Sequence, residues 1–124
     1  MKTTTPFDVA EYVRGYEQWD VQALLSLYDD DVELIQISHD HQPSEPKVTH
    51  GVDVLRGMFE FGATNDVTAI VENVVASDDR VAATVTCVLP NGRKIIANTI
   101  LELRDGLIVR EYEVEVADRG QSAS

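Results

Sequence analysis

The chain has 124 residues, of which 44% are apolar, so its length and composition fit one domain built around a single hydrophobic core. Twenty-two acidic side chains against ten basic ones give a formal charge of −12, spread along the chain. Because such a charge repels phosphate backbones and anionic lipids, we expect neither a nucleic-acid partner nor a membrane partner.

Cysteine content and chain ends bear on location and domain organisation. The lone cysteine, Cys87, has no second cysteine with which to form an internal disulfide. The opening residues MKTTTPFDVA lack the apolar run of a secretory signal, so a cytoplasmic location is the default expectation. No linker or repeat divides the chain, which predicts one domain over residues 1–118. Residues 119–124 are polar and are expected to form a flexible tail.

A first helix is predicted near the N-terminus. Thr5 is the expected N-cap, Pro6 the first helical residue, and Asp8 an acid suited to a capping box and to the helix dipole. Apolar side chains then recur at steps of three and four residues, which predicts one buried helical face: Val9, Tyr12, Val13, Tyr16 and Trp19.

Two further helices are predicted before the pattern changes. Asp20 can cap a second helix over residues 21–28. A third helix over residues 52–62 follows Gly51, and its inner face carries four apolar side chains: Val52, Leu55, Met58 and Phe59.

The segment LYDDDVELIQIS, residues 27–38, runs from the end of the second predicted helix through three aspartates into a predicted strand, which carries a polar side chain on its inner side. Gln36 lies on the same side as Leu34, so both are predicted to face a cavity. An amide is tolerated there if a ligand or water bonds it. Gln36 cannot remove a proton from carbon, but it can orient a water or a carbonyl group.

The second half of the chain alternates in the manner of strands. Breaks at SDD, PNG and RDG separate four of them: residues 67–76, 80–89, 93–103 and 107–116. Asn91-Gly92 and Asp105-Gly106 predict tight hairpins, because both residue pairs tolerate positive φ. The predicted fold class is α+β, with three N-terminal helices on a curved, mainly antiparallel sheet that encloses a pocket.

Three segments resemble the SnoaL-like branch of the nuclear transport factor 2 superfamily: YVRGYEQWDVQALLSLYDDDVEL, THGVDVLRGMFE and LELRDGLIVREYEV. The resemblance covers nearly the whole chain in the family's order. It implies a cone-shaped α+β barrel. Family members include ketosteroid isomerases, limonene epoxide hydrolases, polyketide cyclases, dehydratases and pocketed proteins with no known reaction.

The ketosteroid isomerase pattern is only partly present. Tyr12 corresponds to the tyrosine that donates to the oxyanion in that enzyme. Gln36 stands where the isomerase has its catalytic aspartate, and Leu101 stands where it has a second, protonated aspartate. Ordinary ketosteroid isomerisation is therefore not expected.

The epoxide hydrolase pattern is also incomplete. Glu111 stands where a pocket tryptophan would be, and Glu113 stands where one catalytic aspartate would be. The remaining arginine and aspartate of that enzyme correspond to Ala82 and Thr84, so half of its machinery is missing.

Two orientations are open for the last strand. Simple alternation leaves the glutamates to solvent and places Ile108, Tyr112 and Val114 on the apolar side, whereas the family register turns Glu111, Glu113 and Glu115 toward the cavity. Apolar walls raise the pKa of a carboxyl group and so suit it to general acid or base catalysis. Glu113 is therefore the predicted acid or base, and Tyr12 the predicted stabiliser of oxygen charge.

The predicted ligand-binding set consists of Trp19, Leu34, Gln36, His39, Met58, Leu101 and Glu111. The three histidines, His39, His41 and His50, lie around one proline-containing loop and could hold zinc together. No spacing motif supports a metal, so we predict none, and a loop over the pocket mouth is favoured. No cofactor fingerprint is present, and no cofactor is predicted.

Association is predicted from apolar side chains assigned to the outer sheet face: Val85, Cys87, Ile100 and Tyr112. Such a face is typical of an interface, and the resemblance implies a homodimer through this sheet.

Two functions remain open. One is a cofactor-independent enzyme performing acid–base chemistry, of cyclase, isomerase or epoxide-opening type, on a small and mostly apolar molecule. The alternative is a non-catalytic ligand-binding or dimeric interaction module.

Overall fold

The computed structural model describes residues 6–118, in which three helices lie against one face of a curved six-stranded sheet. The helices are α1 (Val9–Gln18), α2 (Val21–Leu25) and α3 (Asp53–Thr64). The strands are β1 (Tyr28–Ile37), β2 (Lys47–His50), β3 (Thr68–Ala76), β4 (Arg80–Val88), β5 (Lys94–Arg104) and β6 (Leu107–Ala117). The predicted α+β class is confirmed, while the predicted tail, residues 119–124, lies outside the described residues.

The strand order is β2-β1-β6-β5-β4-β3. Strand β1 runs parallel to β6, and every other neighbouring pair is antiparallel. Strand β6 therefore lies inside the sheet, between the first strand and the hairpin partner β5. None of the helices described is long and apolar enough to cross a membrane.

The start of the first helix differs from the prediction. Helix α1 begins at Val9, and Asp8 is its N-cap, with Oδ1 accepting a hydrogen bond of 3.0 Å from the Glu11 amide. Pro6 precedes the helix, so its assignment as the first helical residue is wrong. Aspartate satisfies an unpaired helical N–H as well as serine or threonine does. The expected cap Thr5 lies outside the described residues.

Asp20 caps the second helix as predicted, and its Oδ1 accepts a 3.1 Å hydrogen bond from the Ala23 amide. Helix α2 is shorter than the pattern indicated, because it ends at Leu25 and Tyr28 already belongs to β1. Strand β1 therefore begins earlier than predicted, because it already includes the three aspartates, residues 29–31, that the sequence pattern places between the helix and the strand.

The two predicted hairpins differ in backbone conformation. Asp105 and Gly106 both have positive φ, 53° and 78°, as the Asp-Gly pair predicts. In the Asn91-Gly92 turn only Gly92 has a positive φ, 88°. Both turns nevertheless connect antiparallel neighbours.

The outward assignment of Val85 and Cys87 is wrong. Val85 is buried and pairs with Ala97, Cys87 is partly buried and pairs with Ile95, and both line a cavity beneath the helices. Strand β4 carries Arg80, Thr84 and Thr86 on its outer face, so its own alternation agrees with the inward position of Val85 and Cys87.

The outer sheet face is apolar and open to solvent. Ile100 and Tyr112 are cross-strand partners on this face, as predicted, and Ile100 is 46% exposed. The face also carries further exposed aliphatic side chains: Ile70, Ile96, Val114 and Val116.

Trp19 packs against a glycine of α3. Its indole Nε1 donates a 2.6 Å hydrogen bond to the Val67 carbonyl, which fixes the ring. A Cβ atom at Gly62 would overlap that ring, whereas a Cβ atom at Gly57 in the same helix would meet no atom within 4 Å.

We therefore expect Gly62→Ala to lower the free energy of unfolding by about 1–3 kcal/mol, the typical cost of overpacking. The matched control Gly57→Ala should raise it by about 0.5–1 kcal/mol, because alanine favours the helix. Urea unfolding followed by circular dichroism measures both. Equal stability of the two variants would show that the Trp19 ring is free to move aside.

Candidate active site

The site is organised around two glutamates of β6. Glu111 is 1% exposed and Glu113 is 5% exposed, and their side chains share the inner face because they are two residues apart. Their cross-strand partners on β1 are Leu34 and Gln36. The strand thus has the register that the family resemblance implies, with Tyr112 facing outward.

An extra residue in β6 reverses the simple alternation. Arg110 pairs with Glu102 and Ile108 pairs with Leu103, so Val109 has no partner of its own on β5. This β-bulge lets Ile108 and Glu111 both point inward although they are an odd number of residues apart.

Glu111 is a buried acid that holds its proton at neutral pH. Burial, and after it the charge of Glu113, raises the pKa of Glu111 to about 8. The Tyr28 hydroxyl donates a 2.6 Å hydrogen bond to Glu111 Oε1 and partly offsets that rise. The carboxyl group of Glu113 lies next to that of Glu111 on the same face of β6, and its charge disfavours ionisation of Glu111.

Gln36 orients the second member of the pair. Its Nε2 donates a 3.2 Å hydrogen bond to Glu113 Oε1 and lies 4.0 Å from the Met58 sulfur. The amide therefore holds the carboxyl group of Glu113 in place. Gln36 itself does not line the cavity.

A third glutamate lies further along the same face. Glu115 is partly buried, and burial followed by the charge of Glu113 raises the pKa of Glu115. The three carboxyl groups form a row from the core toward the mouth of the cavity.

Aromatic side chains pack beneath the acid pair. Tyr12 is fully buried, and its ring meets that of Tyr16 edge-on at 5.3 Å between centroids. Burial, and then the charges of Glu111 and Glu113, raises the pKa of Tyr12 well above its usual value. Its hydroxyl makes no hydrogen bond within residues 6–118, and Tyr12 does not line the cavity. Tyr12 is therefore a core residue with a phenol close to the acids.

We use the name inner chamber for the cavity above the acid pair, which has a volume of about 100 Å³. Helical, sheet and acidic side chains form its wall: Tyr16, Trp19, Met58, Phe59, Val85, Cys87, Ile95, Ala97, Thr99, Glu111, Glu113 and Glu115. Apart from the three glutamates and Thr99, the wall is mostly apolar or aromatic.

A larger cavity of about 460 Å³, here called the vestibule, adjoins the inner chamber between α3 and the sheet. Five residues belong to both walls: Trp19, Met58, Cys87, Ile95 and Glu115. The remaining wall is almost entirely apolar: Val54, Gly57, Phe61, Gly62, Val67 and Leu89. Among residues 6–118, no lysine, arginine or histidine lines either chamber.

Apart from Gln36 and His39, the predicted site residues divide into two groups. Glu111, Glu113, Trp19 and Met58 line the inner chamber. Leu34 and Leu101 are completely buried and, like Tyr12, do not line either chamber.

The histidine loop lies apart from the acid pair. His39 is exposed and borders a separate depression next to Glu115 and Val116. His50 Nε2 lies 3.2 Å from the Glu33 carboxylate. Within residues 6–118 no three His, Cys, Asp or Glu side chains have the arrangement of a metal site.

The sequence interpretation missed Tyr28 and Thr99. Tyr28 was assigned to a helix end, which concealed its bond to Glu111. Thr99 pairs with Glu113 across the β5–β6 hairpin. If residues are paired by counting outward from the Asp105-Gly106 turn, Thr99 falls opposite Tyr112 instead of Glu113. The count is one residue out because it leaves out the bulge at Val109.

Comparison with known proteins gives the family. The sequence model of the SnoaL-like domain matches residues 9–111, so the chain belongs to the SnoaL-like domain family. No curated protein matches the chain in sequence.

Solved structures agree on the fold. SalBIII, an epoxide hydrolase/cyclase-like enzyme with a role in pyran ring formation in the polyether salinomycin, is 21% identical with a TM-score of 0.64, over 86% of each chain. IdmH from Streptomyces antibioticus, a candidate polyketide cyclase, is 22% identical with a TM-score of 0.62, over 86% of this chain and 88% of IdmH. A candidate ketosteroid isomerase from Kribbella flavida DSM 17836 is 17% identical with a TM-score of 0.61, over 93% of this chain and 78% of its own.

The raised pKa of Glu111 predicts a pH-dependent loss of stability. Glutamate ionises near its ordinary pKa of 4.5 in the unfolded chain but only near 8 in the folded one. Stability is thus lost as the pH rises through this window. We expect Glu111→Gln, which keeps an acceptor for Tyr28, to remove the loss and to gain on the order of 3 kcal/mol at pH 8.

At pH 4 the variant and the wild type should unfold at similar urea concentrations, because Glu111 is then protonated in both states. Glu60→Gln, at an exposed position of α3, is the matched control and should change stability by less than about 0.5 kcal/mol at either pH. If the free energy of unfolding of Glu111→Gln changes with pH in parallel with that of the wild type, Glu111 is not a buried, neutral acid.

Proposed function

We propose that this chain is a cofactor-independent enzyme that performs acid–base chemistry on a small, mostly apolar molecule, in a reaction of isomerase, cyclase or epoxide-opening type. One observation carries the proposal: two adjacent carboxyl groups lie on the wall of a small, mostly apolar cavity, and the pKa of Glu111 is raised. A carboxyl group with a raised pKa beside a second acid in an apolar cavity is typical of general acid–base sites.

Glu113 is the proposed catalytic residue. It lines the inner chamber, and the amide of Gln36 fixes its orientation. Glu111 holds a proton beside it at neutral pH, so a proton removed from or given to the ligand remains within the pair. Tyr28 and Gln36 are positioning residues, because each acts through a glutamate.

Nucleophilic catalysis by the cysteine is not favoured. Burial, followed by the charges of Glu113 and Glu115, raises the pKa of the Cys87 thiol. A thiolate is the reactive form, so this environment suppresses it.

The chambers indicate the shape of the ligand. The inner chamber, at about 100 Å³, has the volume of only a few water molecules at about 30 Å³ each in the liquid. The reacting end of the ligand is therefore slender, and its apolar remainder lies in the vestibule. A wall with three glutamates and no basic side chain favours an uncharged reacting end.

Glu113→Gln tests the assignment with a panel of small apolar ketones and epoxides, followed by NMR for isomerisation, ring opening or deuterium uptake. We expect the variant to lose at least 10²-fold in rate, because loss of a general base costs about 10²–10⁴-fold. Folding should remain intact, since the amide is nearly isosteric.

Glu60→Gln is again the control and should react at the wild-type rate. Turnover by Glu113→Gln at the wild-type rate would remove Glu113 from the mechanism. Binding of the panel without any turnover by the wild type would favour the alternative, a non-catalytic ligand-binding module.

We also propose that two copies of the chain associate through the outer sheet face. The exposed aliphatic side chains of β5 and β6 support this proposal, and Val116 is 70% exposed. Contiguous apolar surface of this kind is typical of interfaces. Val85 and Cys87 contribute nothing to it, since they face inward.

Light scattering at micromolar concentration should give twice the chain mass of 13.7 kDa. Ile100→Lys should shift the protein to the monomer, because it brings two charges into the centre of the interface. Leu107→Lys, at the exposed end of the β5–β6 hairpin, is the control and should remain dimeric. A monomeric wild type would refute the proposal.

A further inference from the structure

Thr99 carries a hydroxyl group that the protein itself does not satisfy. The residue is 3% exposed, and Oγ1 makes no hydrogen bond within residues 6–118. A buried hydroxyl without a partner costs about 1–3 kcal/mol, whereas a valine of the same shape would not. A ligand that supplies the partner would recover this cost.

The position of Thr99 points its side chain at the acid pair. On β5 it pairs with Glu113 of β6 on one side and with Ala83 of β4 on the other, and it lines the inner chamber. Directly opposed residues have Cβ atoms about 4.5–5.5 Å apart. The hydroxyl and the carboxyl group therefore border the same small volume, and the short side chain of Ala83 leaves room beside them.

Apart from Tyr16 and the protonated Glu111, the strong side-chain donors near the chamber are committed or lie outside its wall. The Tyr28 hydroxyl bonds Glu111, and the Gln36 amide bonds Glu113. Tyr12 lies behind the wall. Tyr16 is the one other hydroxyl-bearing residue on the wall described, and it belongs to α1 rather than to the strand beside Glu113.

We propose that Thr99 is a ligand-binding residue whose hydroxyl donates a hydrogen bond to an oxygen atom of the ligand, next to Glu113. It makes the inner chamber selective for an uncharged, oxygen-bearing group over a hydrocarbon and over a carboxylate. This proposal rests on the proposed function for its catalytic part only, because the selectivity in binding does not require Glu113 to act as a base.

The catalytic consequence follows for a carbonyl ligand. Glu113 takes the proton when the C–H bond next to the carbonyl breaks, and the electron pair moves onto the carbonyl oxygen as an enolate. The Thr99 hydroxyl donates to that oxygen, and return of a proton to carbon completes the exchange. Each such donor to a developing oxyanion is worth roughly 10²–10³-fold in rate where it is well placed.

The test uses three bicyclic probes of similar shape: 2-tetralone, tetralin and tetralin-2-carboxylate. Calorimetric titration gives Kd for each, and proton NMR in D₂O gives the rate of deuterium exchange at the carbon between the carbonyl and the aromatic ring of 2-tetralone. Thr99→Val removes the hydroxyl and keeps the shape, and Thr99→Ser keeps the hydroxyl. Thr49→Val is the matched control, because Thr49 Oγ1 is also buried and unpaired within residues 6–118 but lines neither chamber.

We expect the wild type to bind 2-tetralone at least tenfold more tightly than either other probe. Thr99→Val should lose that preference, and its exchange rate should fall at least tenfold. Without ligand, its midpoint urea concentration of unfolding should equal or exceed that of the wild type. A purely structural role would not give this combination. Thr99→Ser and Thr49→Val should retain both the preference and the rate.

A wild type without preference for 2-tetralone would overturn the inference, and so would a Thr99→Val variant that keeps the preference. Loss of the preference in Tyr16→Phe instead would assign the oxygen contact to Tyr16. If the wild type shows the preference but catalyses no exchange, and Thr99→Val loses the preference, then Thr99 retains its binding role and the proposed catalytic function of Glu113 fails alone.

Discussion

The bulge at Val109 is the constraint on which the interior of this protein depends. Before it, β6 places Ile108 in the core, and after it the same face carries Glu111 and Glu113. Without the extra residue, Tyr112 and Val114 would point inward and the two acids would face solvent. The chemistry of the cavity thus follows from one local irregularity in an otherwise regular hairpin.

Burying two carboxyl groups side by side costs stability, and the surrounding structure offsets this cost. Tyr28 donates to Glu111 and Gln36 donates to Glu113, so each acid has a defined neutral partner. The helices supply a connected aromatic layer beneath them, in which Tyr16 contacts Tyr12, Trp19 and Phe59 edge-on or tilted. The buried acids destabilise the fold, and the aromatic packing, which does not involve them, offsets this cost.

The sequence predicted the fold well because the fold depends on long, strongly patterned elements. The apolar periodicity of α1 and the Asp-Gly hairpin gave both the element types and their neighbours correctly. The predicted first helical residue was wrong, since Thr5 and Asp8 are both acceptable caps and the structure uses Asp8, the better of the two residue types. The inward position of Val85 was predictable from β4 itself, because Thr84 and Thr86 make its other face polar, and the pairing with β5 agrees with this orientation.

The candidate site was less predictable than the fold. Glu113 was selected through the family resemblance, while simple alternation gave the opposite orientation. Thr99 carries no local signal, because a threonine in a strand is ordinary, and its relation to Glu113 exists only across the hairpin. Sequence patterns describe one strand at a time, whereas this site is formed from residues of β1, β5 and β6 together with the helices.

Trp19 has a consequence for observing the protein at work. It is the single tryptophan of the chain, and its indole ring borders both the inner chamber and the vestibule. Its intrinsic fluorescence therefore arises from one known place, the junction of the two chambers. The fluorescence of Trp19 can therefore report the binding of a small molecule in either chamber in real time, without an added dye or label.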